Sequence, residues 1–249
     1  MTWNKKDNSE KMNIIYEPRG RAKEYSRLAL NLYNGCNHGC KYCYVPDYCK
    51  LDRQYFYNNQ TARNILKKLE YDCLELSGTK DKVLLCFTCD PYQKINDEYQ
   101  LTRKVLKLFN QYKIPFQILT KAGHRAESDF DLYKNTDAFA TTLTFFNEDK
   151  SKYYEPQAAL PQDRIDTIKK AKELGINTWV SFEPVLNPNE VFKLLDITHD
   201  FVDLYKIGKV SNFETDIKIN WHYFANEIVK RLKYYKKDYY LKNDLAVYL

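Results

Sequence analysis

Three cysteines stand at a spacing that metal chemistry uses: Cys36, Cys40 and Cys43, in NGCNHGCKYCYVP, are separated by three and then two residues. Thiolates are soft ligands suited to iron–sulfur clusters and zinc. Three of them on one short loop can hold three corners of a cubane and leave one iron open, and Gly35 and Gly39 let the backbone bend tightly there. A structural zinc site usually takes four protein ligands, and His38 or Cys49 could supply the fourth. The loop's position after an apolar run, and the aromatic Tyr42 before the third cysteine, favour iron–sulfur. The chain has seven cysteines, an odd count, which in a reducing compartment points to metal binding or redox chemistry rather than disulfides. Cys49 and Cys73 read as free thiols. Cys86 and Cys89 form a CxxC with no further pair to complete an auxiliary cluster, so one cluster is expected.

Other chemistry-bearing residues sit where apolar runs stop: Asn34, Asp90, Lys121, Glu183, and Lys206 with Lys209. The runs before them read as strands over Leu28–Tyr33, Val83–Cys89, Phe116–Thr120, Ala138–Phe145, Thr178–Phe182 and Phe201–Ile207. Helical patterns lie between, near 60–76, 98–112, 128–134, 161–174 and 188–195, with a last one from about Trp221 to Tyr235. The clearest is DRIDTIKKAKELG, where Ile165, Ile168, Ala171 and Leu174 recur at helical spacing and Gly175 offers a C-terminal cap. Six strands alternating with six helices call for an α/β fold with a parallel sheet, either an open doubly wound sheet or a partial barrel. In both, chemistry collects at the carboxyl ends of the strands. We divide the chain into a polar leader (1–15), the sheet domain (16–220) and a C-terminal helix with a basic, aromatic tail (221–249).

Hydrophobic residues make up 44% of the 249, enough for one well-cored domain. No run of about 18 apolar residues occurs, and the polar start lacks the apolar stretch of a signal peptide. A cytoplasmic protein without a membrane partner is therefore expected. The formal charge of +6 favours an anionic partner only weakly.

The cysteine spacing with its aromatic resembles the signature of the radical S-adenosylmethionine (SAM) superfamily. That resemblance implies a partial (β/α)6 barrel and a [4Fe–4S] cluster whose open iron is chelated by SAM. It also implies an electron donor such as flavodoxin or ferredoxin, and a 5′-deoxyadenosyl radical that takes a substrate hydrogen. Over residues 17–210, GRAKEYSRLALNLYNGCNHGCKYCYVP, TCDPYQ, LTR and ILTK are similar to the spore photoproduct lyase and DNA repair photolyase branch. Carried over position by position, this branch places SAM contacts at Cys89, Asp90, Lys121 and Thr142; Tyr42 and Tyr44, flanking the last cysteine, could pack the adenine or only shield the cluster. Cys89 stands where the lyases have serine. Phe87 stands where they carry the cysteine that returns a hydrogen to the substrate, so photoproduct repair is not expected. The product radical would recover its hydrogen from 5′-deoxyadenosine or from elsewhere in the site.

Each residue also has a plainer reading. Asp90-Pro91 is a common turn, and Thr142 a common strand residue. Glu183 could bind ribose hydroxyls or a substrate amine, or pair with Lys206; with Cys89 it is the candidate catalytic group. His124 and Arg125 could touch phosphate or belong to a solvated loop, and His199 and His222 read as structural. Arg19 and Arg21 hold structure or substrate. The run RLKYYKKDYYLK could stack bases or form a helix with a tyrosine stripe. The functional expectation is a radical SAM enzyme, of isomerase or lyase type, acting on a thymine-derived nucleobase or DNA. The alternatives are a small-molecule or peptide substrate, or a non-catalytic metal-binding nucleic-acid module.

Overall fold

The structure, a computed structural model, describes residues 14–210, 213–215 and 217–249; residues 1–13 of the expected polar leader lie outside these. A 3-10 turn, Gly20–Glu24, leads into β1 (Leu28–Leu30), β2 (Tyr33–Asn34), α1 (Val45–Cys49), α2 (Arg53–Asn58), β3 (Thr61–Ala62) and α3 (Leu66–Glu75). Then follow β4 (Val83–Leu85), α4 (Asn96–Tyr99), α5 (Leu101–Gln111), β5 (Phe116–Thr120), a 3-10 helix (Gly123–Leu132), β6 (Ala138–Thr142), α6 (Glu148–Tyr154) and α7 (Pro161–Glu173). The chain closes with β7 (Asn177–Val185), α8 (Pro188–Thr198), β8 (Leu204–Lys209), α9 (Trp221–Tyr234), β9 (Asp238–Leu241) and α10 (Asn243–Ala246).

Strands β1, β4, β5, β6, β7, β8 and β9, in that order, form a parallel seven-stranded sheet. It is an α/β partial barrel with β1 and β9 at its edges. The six expected strands are all present. The count of six is corrected by β9, which lies within the tail and pairs in parallel with β8. The helix expected near 98–112 is broken at Gln100, whose φ of +47° separates α4 from α5.

Strand alternation sorts the sheet into two unlike faces. Leu28, Leu30, Val83, Leu85, Phe116, Ile118, Phe139, Val180, Phe182, Tyr205 and Ile207 join the large core beneath the helices. Each such side chain is worth about 1.5–3 kcal/mol on burial. Helix α5 answers with Leu101, Val105, Leu106 and Phe109, and α7 with Ile165, Ile168 and Ala171. Leu174, expected in that stripe, instead ends the helix 59% exposed. The inner face carries a small cluster, Leu84, Ala138, Ala140 and Trp179, against which Tyr25, Phe87, Leu119 and Leu204 pack. One rung towards the carboxyl ends, Thr142, Ser181, Lys206 and Tyr240 lie side by side in register.

The gap between β9 and β1 is spanned by the 3-10 turn. Arg21 reaches Asp244 at 2.8 Å, and Glu24 accepts from the Tyr240 hydroxyl and the Asn243 N–H. At the opposite, amino-terminal end the barrel opens into a cavity of about 870 Å³ lined in part by Lys82, Gln117, Trp179 and Leu204. Among the described residues no helix is long and apolar enough to cross a membrane.

Candidate active site

The cysteine loop runs from β2 to α1 and is folded hard against its neighbours. Gly35 has φ +73°, and a Cβ there would sit 2.4 Å from the Asn59 carbonyl oxygen, so only glycine fits. Gln93, fully buried, pins the loop: its Nε2 donates to the Gly35 carbonyl at 3.1 Å and its Oε1 accepts from Asn37 N–H at 3.1 Å. All seven cysteines are free thiols. Burial raises Cys36, Cys40 and Cys43 above the ordinary thiol value, Cys40 to about 12. Thiolates become favourable in such surroundings when a coordinated cation shares the space, and cluster iron is such a cation. Three free thiols on one loop are the donor set that a [4Fe–4S] group takes, so Cys36, Cys40 and Cys43 could hold it. His38 turns instead to Asp90, Nδ1 lying 3.6 Å from Oδ2, and Cys49 is exposed at the end of α1. No group of three Cys, His, Asp or Glu side chains among the described residues is arranged to hold a single ion.

Asp90, Lys121 and Thr142 lie at adjacent strand ends. The Asp90 carboxylate is buried and already engaged: Oδ1 accepts from Tyr92 N–H at 2.9 Å and Thr120 Oγ1 at 2.7 Å, while Oδ2 accepts from Lys121 N–H at 2.8 Å. It ties the end of β4 to the end of β5. The Lys121 ammonium lies 5.7 Å from the Tyr42 ring centroid. Burial is the main influence on Cys40, and the charge of Lys121 opposes it. Thr142 is buried, and its carbonyl accepts from Arg164 Nη1 at 3.1 Å. The Tyr42 hydroxyl donates to Glu155. Glu155 faces Arg164 at 2.6 Å, with side-chain exposures of 0% and 1%. Burial alone would raise the Glu155 carboxyl, but Arg164 and then Lys121 hold it below the ordinary carboxylate value. This pair was not expected. The available signal was that Arg164 shares the buried stripe of Ile168 and Ala171 at helical spacing.

Across the barrel, Glu183 does not pair with Lys206 as one reading of the sequence allowed. Its Oε1 lies 2.9 Å from Arg21 Nη2 and its Oε2 3.0 Å from Lys242 Nζ. The Tyr25 hydroxyl donates to it and lies 2.8 Å from Ser181 Oγ. Gly208 leaves the room for this: a Cβ there would stand 2.7 Å from Glu183 Cδ and 2.8 Å from Lys242 Cδ. Lys206 donates to the Tyr25 carbonyl at 2.8 Å and lies 4.6 Å from the centre of the Trp179 ring. Burial, with Lys242 and Lys82 nearby, lowers its pKa to about 8.

The expected strand Val83–Cys89 stops at Leu85, so alternation does not extend to Cys89. Phe87 packs with Tyr25, ring centroids 6.1 Å apart, on the inner face. Cys89, a candidate SAM contact and catalytic group, packs with Cys86 against the helix-side core. His124 pairs with Asp163 at 2.9 Å and Arg125 with Asp97. His199 stacks on Tyr235 at 3.9 Å, and the His222 Nδ1 lies 2.8 Å from the Tyr248 carbonyl oxygen. In the tail, Arg231 pairs with Asp196 and Glu227, and Lys242 is buried.

The profile of the Radical SAM superfamily matches residues 30–202. An uncharacterized protein of Methanocaldococcus jannaschii is 28% identical over 202 residues, 80% of this chain and 70% of that one. An uncharacterized protein of Acidianus two-tailed virus is 29% identical over 193 residues, 70% of this chain and 62% of its own. Among solved structures, a spore photoproduct lyase variant with bound AdoMet and dinucleoside spore photoproduct has a TM-score of 0.69 at 13% identity, covering 93% of this chain and 79% of the lyase. Streptococcus suis SuiB bound to S-adenosylmethionine has a TM-score of 0.64 at 12% identity, covering 86% of this chain and half, 50%, of SuiB. These structural likenesses show the fold.

Proposed function

This chain belongs to the radical SAM superfamily, whose members use a [4Fe–4S] cluster and S-adenosylmethionine, and from that premise we propose that it rearranges or modifies a thymine-derived nucleobase. The cluster and SAM together supply a 5′-deoxyadenosyl radical that removes a hydrogen from the substrate. Cys36, Cys40 and Cys43 hold the cluster. Lys121 meets the SAM carboxylate through a charge-assisted hydrogen bond, and the Tyr42 ring and Thr142 line the same side.

The observation that carries the substrate reading is the opposite wall. Tyr25, whose ring packs with Phe87 and Trp179, brings its hydroxyl to Ser181 and Glu183, so aromatic faces and polar groups meet on one wall. A planar ring with its own N–H and C=O groups meets both demands, apolar on its faces and polar at its edge. Phe87 carries no hydrogen it can readily give up, and Cys86 and Cys89 lie on the helix side. A hydrogen returned from 5′-deoxyadenosine, with SAM regenerated, balances a rearrangement without a protein thiol. The test is anaerobic incubation of the reconstituted enzyme with SAM, dithionite and thymine-modified oligonucleotides, with mass spectrometry of the digested nucleosides. A new nucleoside supports the reading. Conversion of spore-photoproduct dinucleotide to two thymines, at a rate that collapses in Cys86→Ala, overturns it in favour of repair.

A further inference from the structure

We infer that Glu155 and Arg164 are positioning residues for S-adenosylmethionine, fixing the separation between the cysteine loop and the strand ends on which the cofactor rests. The end of α6 and residues 155–159 form a strap leading to α7 that is bonded on both sides. The Tyr154 carbonyl accepts from Lys41 N–H at 2.9 Å, and Gln157 N–H donates to the His38 carbonyl at 3.1 Å, so the strap holds the loop on either side of Cys40. Ala159 N–H donates to the carbonyl of Lys121 at 2.9 Å, which fixes the lysine after β5.

The buried pair locks this strap in the third direction. Glu155 takes the Tyr42 hydroxyl on one oxygen and faces Arg164 with the other. Arg164, in the first turn of α7, donates from Nε to the Ala159 carbonyl at 2.7 Å and from Nη1 to the Thr142 carbonyl at 3.1 Å. One carboxylate and one guanidinium thus connect the cysteine loop, the strap and β6. Stability alone is a poor reason for such a pair, because desolvating two charges offsets most of their attraction and an apolar pair of similar volume often serves as well. A planar fork whose Nε and Nη1 donate in fixed directions while its charge faces Glu155 sets distances that an apolar pair does not.

The inference rests on family membership and not on the nucleobase reading, and its test needs no substrate. The double variant Glu155→Leu/Arg164→Met replaces the charges at similar volume. It is expected to keep wild-type iron content, visible absorbance and urea midpoint. Its equilibrium affinity for SAM should fall roughly tenfold or more, with a rise in KM for SAM that exceeds any fall in kcat for 5′-deoxyadenosine release. Glu155→Gln, which keeps an acceptor for Tyr42, should recover part of that loss. Tyr42→Phe removes only the hydroxyl that meets Glu155, so it decides the matter if the double variant does not fold, and it should weaken SAM binding in the same direction. Wild-type SAM affinity in a folded double variant, or in Tyr42→Phe, would show the pair to be a packing element only and overturn the inference.

Discussion

The two sides of the barrel mouth are built differently. On the side of β4, β5 and β6, Asp90, Tyr42, Glu155 and Arg164 are enclosed and find their partners along neighbouring strand ends and the strap that follows. On the side of β7, β8 and β9, Glu183 is held by Arg21 and Lys242, 162 and 59 residues away in sequence, and Arg21 remains 37% exposed. On the function proposed above, the first side would meet the cofactor and the second the substrate; the second borrows its charges from segments outside the strands that form the wall. The contrast teaches that the two walls can change separately, since each has its own set of fixings.

The strongest test of that separation is to destroy one wall's purpose outright. Cys40→Ala should abolish SAM cleavage and cluster assembly, while Cys73→Ala, in α3, should leave both intact; iron content and 5′-deoxyadenosine under dithionite decide. Next, Glu183→Gln should cost substrate turnover roughly a hundredfold, as expected for loss of charge-assisted bonds, yet leave substrate-free SAM cleavage unchanged. A parallel fall in both rates would break the comparison. Lys121→Ala should weaken SAM binding roughly tenfold or more, the loss of about 1.5–3 kcal/mol in a hydrogen bond to a charged group, with iron content intact; titration of SAM against the visible absorbance reads it.

The smallest effect is expected at Lys206, and it sharpens the picture of the substrate side. Its pKa falls from 10.5 to about 8, first through burial and then through Lys242 and Lys82. Between those two values the unfolded chain binds more protons than the folded one, so stability rises with pH through that window. Below about pH 8 the full cost of the buried charge is present. Lys206→Met should therefore raise the urea midpoint at pH 7 relative to wild type, and the difference should shrink by pH 10. An advantage that grows with pH would contradict the assignment.

The cysteine loop and the strand ends beside it stood out in the sequence because their signals are local: cysteines three and two apart, glycines in a bend, a lysine directly after ILT. On the other side, one of the readings offered for Glu183 failed for the opposite reason. Lys206 seemed a natural partner for Glu183 because both lie on adjacent strands, yet register sets Lys206 beside Ser181, and distant Arg21 and Lys242 take the carboxylate. Strand β9 escaped notice because DYYL is four residues long and flanked by lysines, and only its last residue is buried. The GRAKEY block was recognisable as a motif, but its work in spanning the gap between the edge strands depends on chain segments that no short window contains.

Tyr25 has a consequence for hydrogen isotopes. Its carbonyl accepts from Gln117 and Lys206 and its hydroxyl meets Ser181 and Glu183, so with the inner cluster of Leu84, Ala138, Ala140 and Trp179 it stands between the foot of the barrel and the mouth. In heavy water, a product whose hydrogen returns from 5′-deoxyadenosine stays unlabelled while that partition holds. Tyr25→Ala would open the foot to the mouth, and deuterium in the product would then measure how much solvent the ring had been keeping out.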